Sequence, residues 1–195
     1  MSEQDHTPGT LLVVSGPGGV GKGTVVAALR ERHDEIEVSL AATTRRMRPG
    51  EEDGVHYRFV SPTEFRRMAD DGEFLEWAEF NGHFYGTPWS SVTDRLAAGA
   101  TLVLEIDVQG AKQVRQRQRD VGDIAATLVF LEPPSWDDLE RRLRHRGSEN
   151  EETIEQRLTI GREEMAQAED FDHRVVNDRV DAAVKALERI LALQR

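Results

Sequence analysis

The chain has 195 residues with 36 acidic and 25 basic side chains, a formal charge of -11, and no cysteine. That length predicts one domain with appendages and a core of its own. The acidic balance excludes a general nucleic-acid binder, and the missing cysteines exclude disulfides, thiolate metal sites and a cysteine nucleophile.

Residues 1–9 read as a polar tail, MSEQDHTPG, without an apolar signal core. TLLVVS (Thr10–Ser15) is a short apolar run ending at glycine, as expected of a buried parallel strand. TVVAALRERH reads as a helix, so strand, glycine loop and helix make the first half of a βαβ unit. Residues 43–97 differ: TTRRMRPGEEDGVHYRFV, FLEWAEF and GHFYGT are short alternating segments broken by Pro-Gly, Asp-Gly and Asn-Gly. They predict a small β-rich insertion. Further strands follow in TLVLEIDV, ATLVFLE and HRVVN, with Pro133 and Pro134 stopping the second. Helical patterns lie between and after them in AKQVRQRQR, SWDDLERRLRHR, NEETIEQRLTIGREEMAQAE and the amphipathic VDAAVKALERILALQ. Alternating strands and helices predict an α/β core with a mainly parallel sheet. No apolar run reaches membrane-spanning length, and a soluble, cytoplasmic protein is expected. The six histidines are scattered without paired metal-ligand spacing.

Between the first strand and helix stands GPGGVGKGT, in which Gly16, Gly21 and Lys22 fit G-x-x-x-x-G-K. Glycines let backbone N–H groups turn toward a phosphate, the helix N-terminus adds partial positive charge, and the lysine reaches the outer phosphates. Residues Gly16, Pro17, Gly18, Gly19, Val20, Gly21, Lys22, Gly23 and Thr24 are therefore expected to bind a nucleoside triphosphate. A hydroxyl usually follows the lysine and sits on magnesium. Here Gly23 stands at that place and the hydroxyl comes one residue later, on Thr24, the candidate metal contact.

Two further clusters concern the acceptor. Arg45 and Arg48 sit three apart next to a Pro-Gly turn with Tyr57 downstream. Two guanidinium forks and a phenol suit one phosphate monoester, although such a charge run is equally well a solvated turn. In FLEWAEF, Glu76 is in phase with Phe74, Ala78 and Phe80. A carboxylate on an apolar face needs a partner. The N1–H and N2 amino group of guanine would supply two adjacent donors, whereas adenine presents an acceptor at N1. An ion pair with an arginine is the other way to satisfy it.

The motifs in order are TTR-x-x-RPGE-x-DGV-x-Y-x-FV, FLEWAEF-x-G-x-x-YGT, LEIDVQGAKQVR, PPS, RL-x-x-RG and VVND. Together with the phosphate loop they resemble guanylate kinases over nearly the whole chain. The resemblance implies a P-loop NTPase core at residues 10–42 and 98–195 and a GMP-binding insertion at about 43–97. It also implies a helical lid at about 136–155. It implies ATP-dependent conversion of GMP to GDP with Mg²⁺, and only small-molecule partners, with no nucleic acid and no membrane. Arg45, Arg48, Tyr57 and Tyr85 match residues that hold the GMP phosphate. Glu76 and Asp107 match readers of the guanine edge, Thr87 in the Tyr85-Gly86-Thr87 segment a hydroxyl toward O6, and Asn177 a residue near adenine. Arg142 and Arg146 match lid arginines, and Arg157 a third arginine meeting the transferring phosphate; Lys22 completes that catalytic set. The i, i+4 spacing of Arg142 and Arg146 puts both on one helix face. Glu105 and Asp107 share a face near the carboxyl end of their strand, where α/β sheets bind ligands.

Two positions depart from the family's pattern. Ala41 stands where a guanine-reading serine is usual, so base selection rests more on Glu76, Asp107 and Thr87. The Gly-Lys-Gly-Thr ending resembles adenylate kinases, which keeps an AMP or UMP acceptor as an alternative. A non-catalytic guanylate-kinase-like binding module is the other; its phosphate loop would be degraded, and Lys22 and the glycines are intact here.

Overall fold

The computed structural model describes residues 9–80, 82–145 and 151–193. Five strands form the main sheet: β1 (Thr10–Ser15), β2 (Ile36–Val38), β7 (Thr101–Glu105), β8 (Ala126–Glu132) and β9 (His173–Val176), in the order β2-β7-β1-β8-β9. This is the parallel central sheet of the expected α/β core, with helices flanking it. Leu11 to Val14 of β1 and Leu128 to Leu131 of β8 are almost fully buried, the pattern of strands covered on both faces.

A second sheet of four strands has the order β4-β3-β6-β5. Its members are β3 (Ala42–Thr43), β4 (Arg58–Phe59), β5 (Phe74–Phe80) and β6 (His83–Pro88). β6 pairs antiparallel with both β3 and β5, and β3 pairs parallel with β4. The chain divides into two compact units. One holds Glu37–Leu102 and Gln109–Ala126, and with them the second sheet. The other holds Leu12–Ile36, Val103–Val108 and the chain from Thr127 onward.

The helices are α1 (Lys22–Arg32), α2 (Pro62–Asp70), α3 (Trp89–Ala97), α4 (Val108–Asp120), α5 (Trp136–His145), α6 (Glu151–Met165) and α7 (Val180–Ile190). None is long and apolar enough to cross a membrane. Two of them, α2 and α3, fall in the stretch read as β-rich. For α2 the signal was present: Ser61 accepts a hydrogen bond from the Glu64 N–H, and Pro62 opens the first turn, an N-terminal cap of the usual kind. The strand expected over 101–108 ends at Glu105, because α4 starts at Val108 and leaves Ile106 and Asp107 to make the turn.

Phe65, Met68, Phe74 and Ala42 form the core of the unit with the second sheet. The Phe65 ring stacks on Phe74 at 4.5 Å and on Phe84 at 5.4 Å between centroids. In the other unit Val108, Phe130 and Ala168 cluster, with Phe171 edge-on to Phe130.

Candidate active site

The phosphate loop runs from the end of β1 into α1. Gly21, the residue before α1, has φ 98°, a left-handed conformation that favours glycine. A Cβ there would also stand 2.8 Å from the Asn177 side-chain nitrogen. Lys22 folds over the loop, its Nζ donating to the Gly16 carbonyl at 2.6 Å and to that of Pro17 at 3.3 Å.

The Val20 carbonyl receives two donors. Asn177 Nδ2 reaches it at 2.8 Å and Arg142 Nη1 at 3.1 Å. The other arm of Arg142 donates to the Asn177 carbonyl at 2.9 Å. Asn177 is only 4 % exposed, so these bonds lie where water competes little. The candidate lid arginine of α5 and the candidate adenine-side asparagine after β9 thus meet on the loop's backbone. Arg157 lies half-buried on α6. Arg146 lies outside the described residues, as does the part of the expected lid at 146–150.

Sequence reasoning missed Glu164. Its Oε2 accepts the Gly18 N–H at 3.2 Å, tying α6 to the loop. Burial holds its carboxyl above the usual range and the charge of Asp107 adds to this, while Lys22 and the Gly18 N–H oppose it. No local pattern announces the residue, since its partner is 146 positions away.

Gly23 and Glu105 bear on the metal. A Cβ at Gly23 would stand 3.3 Å from both carboxylate oxygens of Glu105. The room a serine or threonine would fill after the lysine therefore borders a carboxylate. Among the described residues no group of three or more His, Asp or Glu forms a metal cage. A carboxylate beside the residue after the loop lysine suits Mg²⁺, which keeps its waters and takes most other oxygens from substrate phosphates.

In the unit with the second sheet, three of the four residues read as phosphate-binding, Arg45, Tyr57 and Tyr85, come together. The Arg45 guanidinium lies 5.3 Å from the Tyr57 ring centroid, Tyr57 meets Tyr85 edge-on at 6.2 Å, and the Tyr85 phenol helps Glu51 hold the guanidinium in its charged form. Arg48 contributes its backbone N–H to Glu51 at 2.7 Å, with its side chain in the exposed turn. Glu51 is the unforeseen member: it takes Arg45 bidentately at 2.8 and 2.9 Å. The Arg45 guanidinium, helped by the Arg48 N–H, holds the Glu51 carboxyl down at about 2. The signal for it was local, an acid closing the Arg-Pro-Gly turn.

Glu76 is 5 % exposed, as its phase in β5 required. Phe80, placed by the same alternation on the apolar face, is half-exposed at the strand's end, and a register irregularity lies between Phe74 and Glu76. The Glu76 carboxylate accepts the Thr87 hydroxyl at 2.6 Å from the paired position on β6. Thr87 thus spends its proton on Glu76 and fixes one end of the carboxylate. Gly86 is required for packing: a Cβ there would meet the Trp77 Cβ at 2.8 Å and a Phe74 ring carbon at 2.9 Å. Asp107 belongs to the other unit, near enough to Glu164 to act on its charge.

A glycine loop between β1 and α1, a lysine folded over it and arginines borne on the following helices define a P-loop phosphotransferase. The sequence model of the guanylate kinase family matches residues 8–194. A guanylate kinase of Gloeobacter violaceus is 52% identical over 97% of this chain and 90% of its own length. One of Streptomyces coelicolor is 52% identical over 91% and 87%. The crystal structure of the guanylate kinase of Anaplasma phagocytophilum superposes with a TM-score of 0.75 at 32% identity, covering 95% of this chain and 86% of that one. The chain belongs to the guanylate kinase family.

Proposed function

We propose that this protein transfers the terminal phosphoryl group of ATP to GMP, giving ADP and GDP. The observation that carries the choice of base is the buried Glu76 carboxylate, oriented by Thr87, whose acceptor oxygens match the guanine N1–H and N2 amino edge. Adenine would leave that carboxylate facing an acceptor, a strongly unfavourable buried pairing. Asp107 is the second proposed reader of the same edge. Arg45, Arg48, Tyr57 and Tyr85 are proposed to hold the acceptor phosphate, with Arg45 exchanging Glu51 for the incoming oxygens.

On the donor side the loop N–H groups from Gly16 to Thr24 hold the ATP phosphates, and Lys22 leaves the loop carbonyls for them. The GMP phosphate oxygen is already anionic, so the chemistry requires alignment and charge neutralisation rather than a general base. Lys22, Arg142, Arg146 and Arg157 supply that positive charge as phosphoryl transfer proceeds. Arg142 also fixes the loop through the Val20 carbonyl, and Asn177 does so from beside the adenine end. Thr24 and Glu105 are the residues that would hold Mg²⁺, directly or through its waters. When bound, the ion would neutralise charge between the outer phosphates of ATP. Both nucleotides are cytoplasmic metabolites, and that is the compartment assigned to the protein.

The test is ADP formation from ATP and Mg²⁺ with GMP, AMP, CMP and UMP in parallel. Turnover confined to GMP is expected. Turnover with AMP or UMP in its place would show that the adenylate-kinase-like Gly-Lys-Gly-Thr ending is the better guide.

A further inference from the structure

Among the described residues β5 is the edge strand of the second sheet, and one side of its backbone has no strand partner there. At Trp77 that edge is closed by a side chain. Gln113 of α4 accepts the Trp77 N–H on its Oε1 at 3.1 Å and donates from Nε2 to the Trp77 carbonyl at 2.6 Å. A primary amide carries the same donor and acceptor as a peptide group, so Gln113 stands in for one residue of a missing strand. One bond holds the Glu76–Trp77 peptide plane and the other the Trp77–Ala78 plane, so two consecutive peptides are fixed.

The neighbours show that α4 is docked here along a face. One turn on from Gln113, Arg117 lays its guanidinium 3.8 Å from the Trp89 ring centroid, on the same helix face. Trp77 is held from its other sides too. Its Cβ sits over Gly86, and its ring meets Phe65 and Phe84 edge-on. Yet the residue stays 40 % exposed, so ring packing alone leaves the peptide only partly constrained. Glu76 is the next residue along, and in a strand its side chain leaves on the opposite face. The orientation of the Glu76–Trp77 peptide, held through the Trp77 N–H, therefore sets the direction in which the Glu76 carboxylate points, with Thr87 fixing the far end of the same side chain.

The geometry points to Gln113 as a positioning residue for base recognition, acting through the Trp77 peptide on Glu76. It touches no substrate. The inference rests on the reading of Glu76 as the guanine-edge carboxylate. It adds that the specificity of β5 is set from a helix outside the sheet.

The experiment compares wild type, Gln113→Met, Glu76→Gln and the double variant for KM of GMP, KM of ATP and kcat, with deuterium exchange at the Trp77 amide. Gln113→Met keeps the length of the side chain and removes both bonds. It should raise KM for GMP roughly 3- to 10-fold, the scale of one or two net hydrogen bonds. KM for ATP and kcat should stay within about twofold, and the Trp77 amide should exchange faster. In the Glu76→Gln background the same change should add less than about twofold, because residues acting through one another are not additive. An unchanged KM for GMP in Gln113→Met, with Glu76→Gln raising it, would overturn the positioning role alone. So would full additivity in the double variant. No effect of Glu76→Gln on KM for GMP would instead remove the guanine reading, and this inference with it. If Gln113→Met does not fold, Gln113→Glu retains the acceptor toward the Trp77 N–H and should give the same split between the two substrates.

Discussion

The phosphate loop and the second sheet, the proposed acceptor sheet, hold their side chains by different means. In the loop the determinants are backbone: a left-handed glycine, and a Val20 carbonyl fastened by Asn177 and Arg142. In the acceptor sheet they are side-chain pairs, Arg45 with Glu51 and Thr87 with Glu76. Backbone geometry is the same for every nucleoside triphosphate, so it suits a donor recognised by its phosphates. Paired side chains carry a pattern of charge and hydrogen bonding, so they suit an acceptor recognised by its base. The first design should tolerate a changed residue beside the lysine; the second should respond sharply to single substitutions.

The severest test of the loop is Lys22→Ala. It should lower kcat by roughly 10²- to 10³-fold, the scale for removing one preorganised charge donor. Rapid-quench turnover close to wild type would break the backbone-plus-lysine account of this half. On the acceptor side, Glu76→Ala should reduce the GMP-over-AMP ratio of kcat/KM by about 100-fold or more, since a polar site otherwise rejects the unpaired base strongly. An unchanged ratio in competition assays would erase the contrast between the halves.

Asn177→Ala should lower stability by about 1–3 kcal/mol, the range for disrupting a buried hydrogen bond. It should also raise KM for ATP and leave KM for GMP alone; thermal melts and kinetics read the two effects. Glu51 gives a pH test. Its carboxyl is held at about 2, below the ordinary 4.5. The pair with Arg45 therefore stabilises the fold above the ordinary carboxylate range, and that contribution is lost as pH falls through about 2. Glu51→Gln should flatten the acid limb of a stability profile; an unaltered limb would mean that the pair is idle.

The smallest effect concerns Glu164, whose sign is opposite. Burial raises its folded value, so its charged form burdens the fold as pH rises past the usual carboxylate range. Glu164→Gln should melt slightly higher than wild type at neutral pH and equally at acid pH. A variant that melts lower at neutral pH would show the carboxylate's bond to Gly18 outweighing its burial.

What could be read in advance divides along the same line. The loop was legible because its glycines, lysine and flanking strand and helix are contiguous. Glu76 was legible because strand alternation brings it to the buried face. Glu164 and Gln113 were not, because Gly18 and Trp77 lie 146 and 36 positions from them. Glu51 and the Ser61 cap of α2 were within reach, since each acts within a few residues of its own position. α3 was harder: Pro88 precedes it and no side chain caps it.

With Arg45 as the proposed holder of the acceptor phosphate, the bidentate grip of Glu51 would make that phosphate arrive by ion exchange rather than by capture of a waiting cation. A resident anion lowers the gain on entry, and it is equally ready to re-form its pair on departure. A product carrying more negative charge than the substrate would otherwise be the tighter ligand. The internal competitor thus favours release over retention, which suits an enzyme that must turn over and not store its nucleotide.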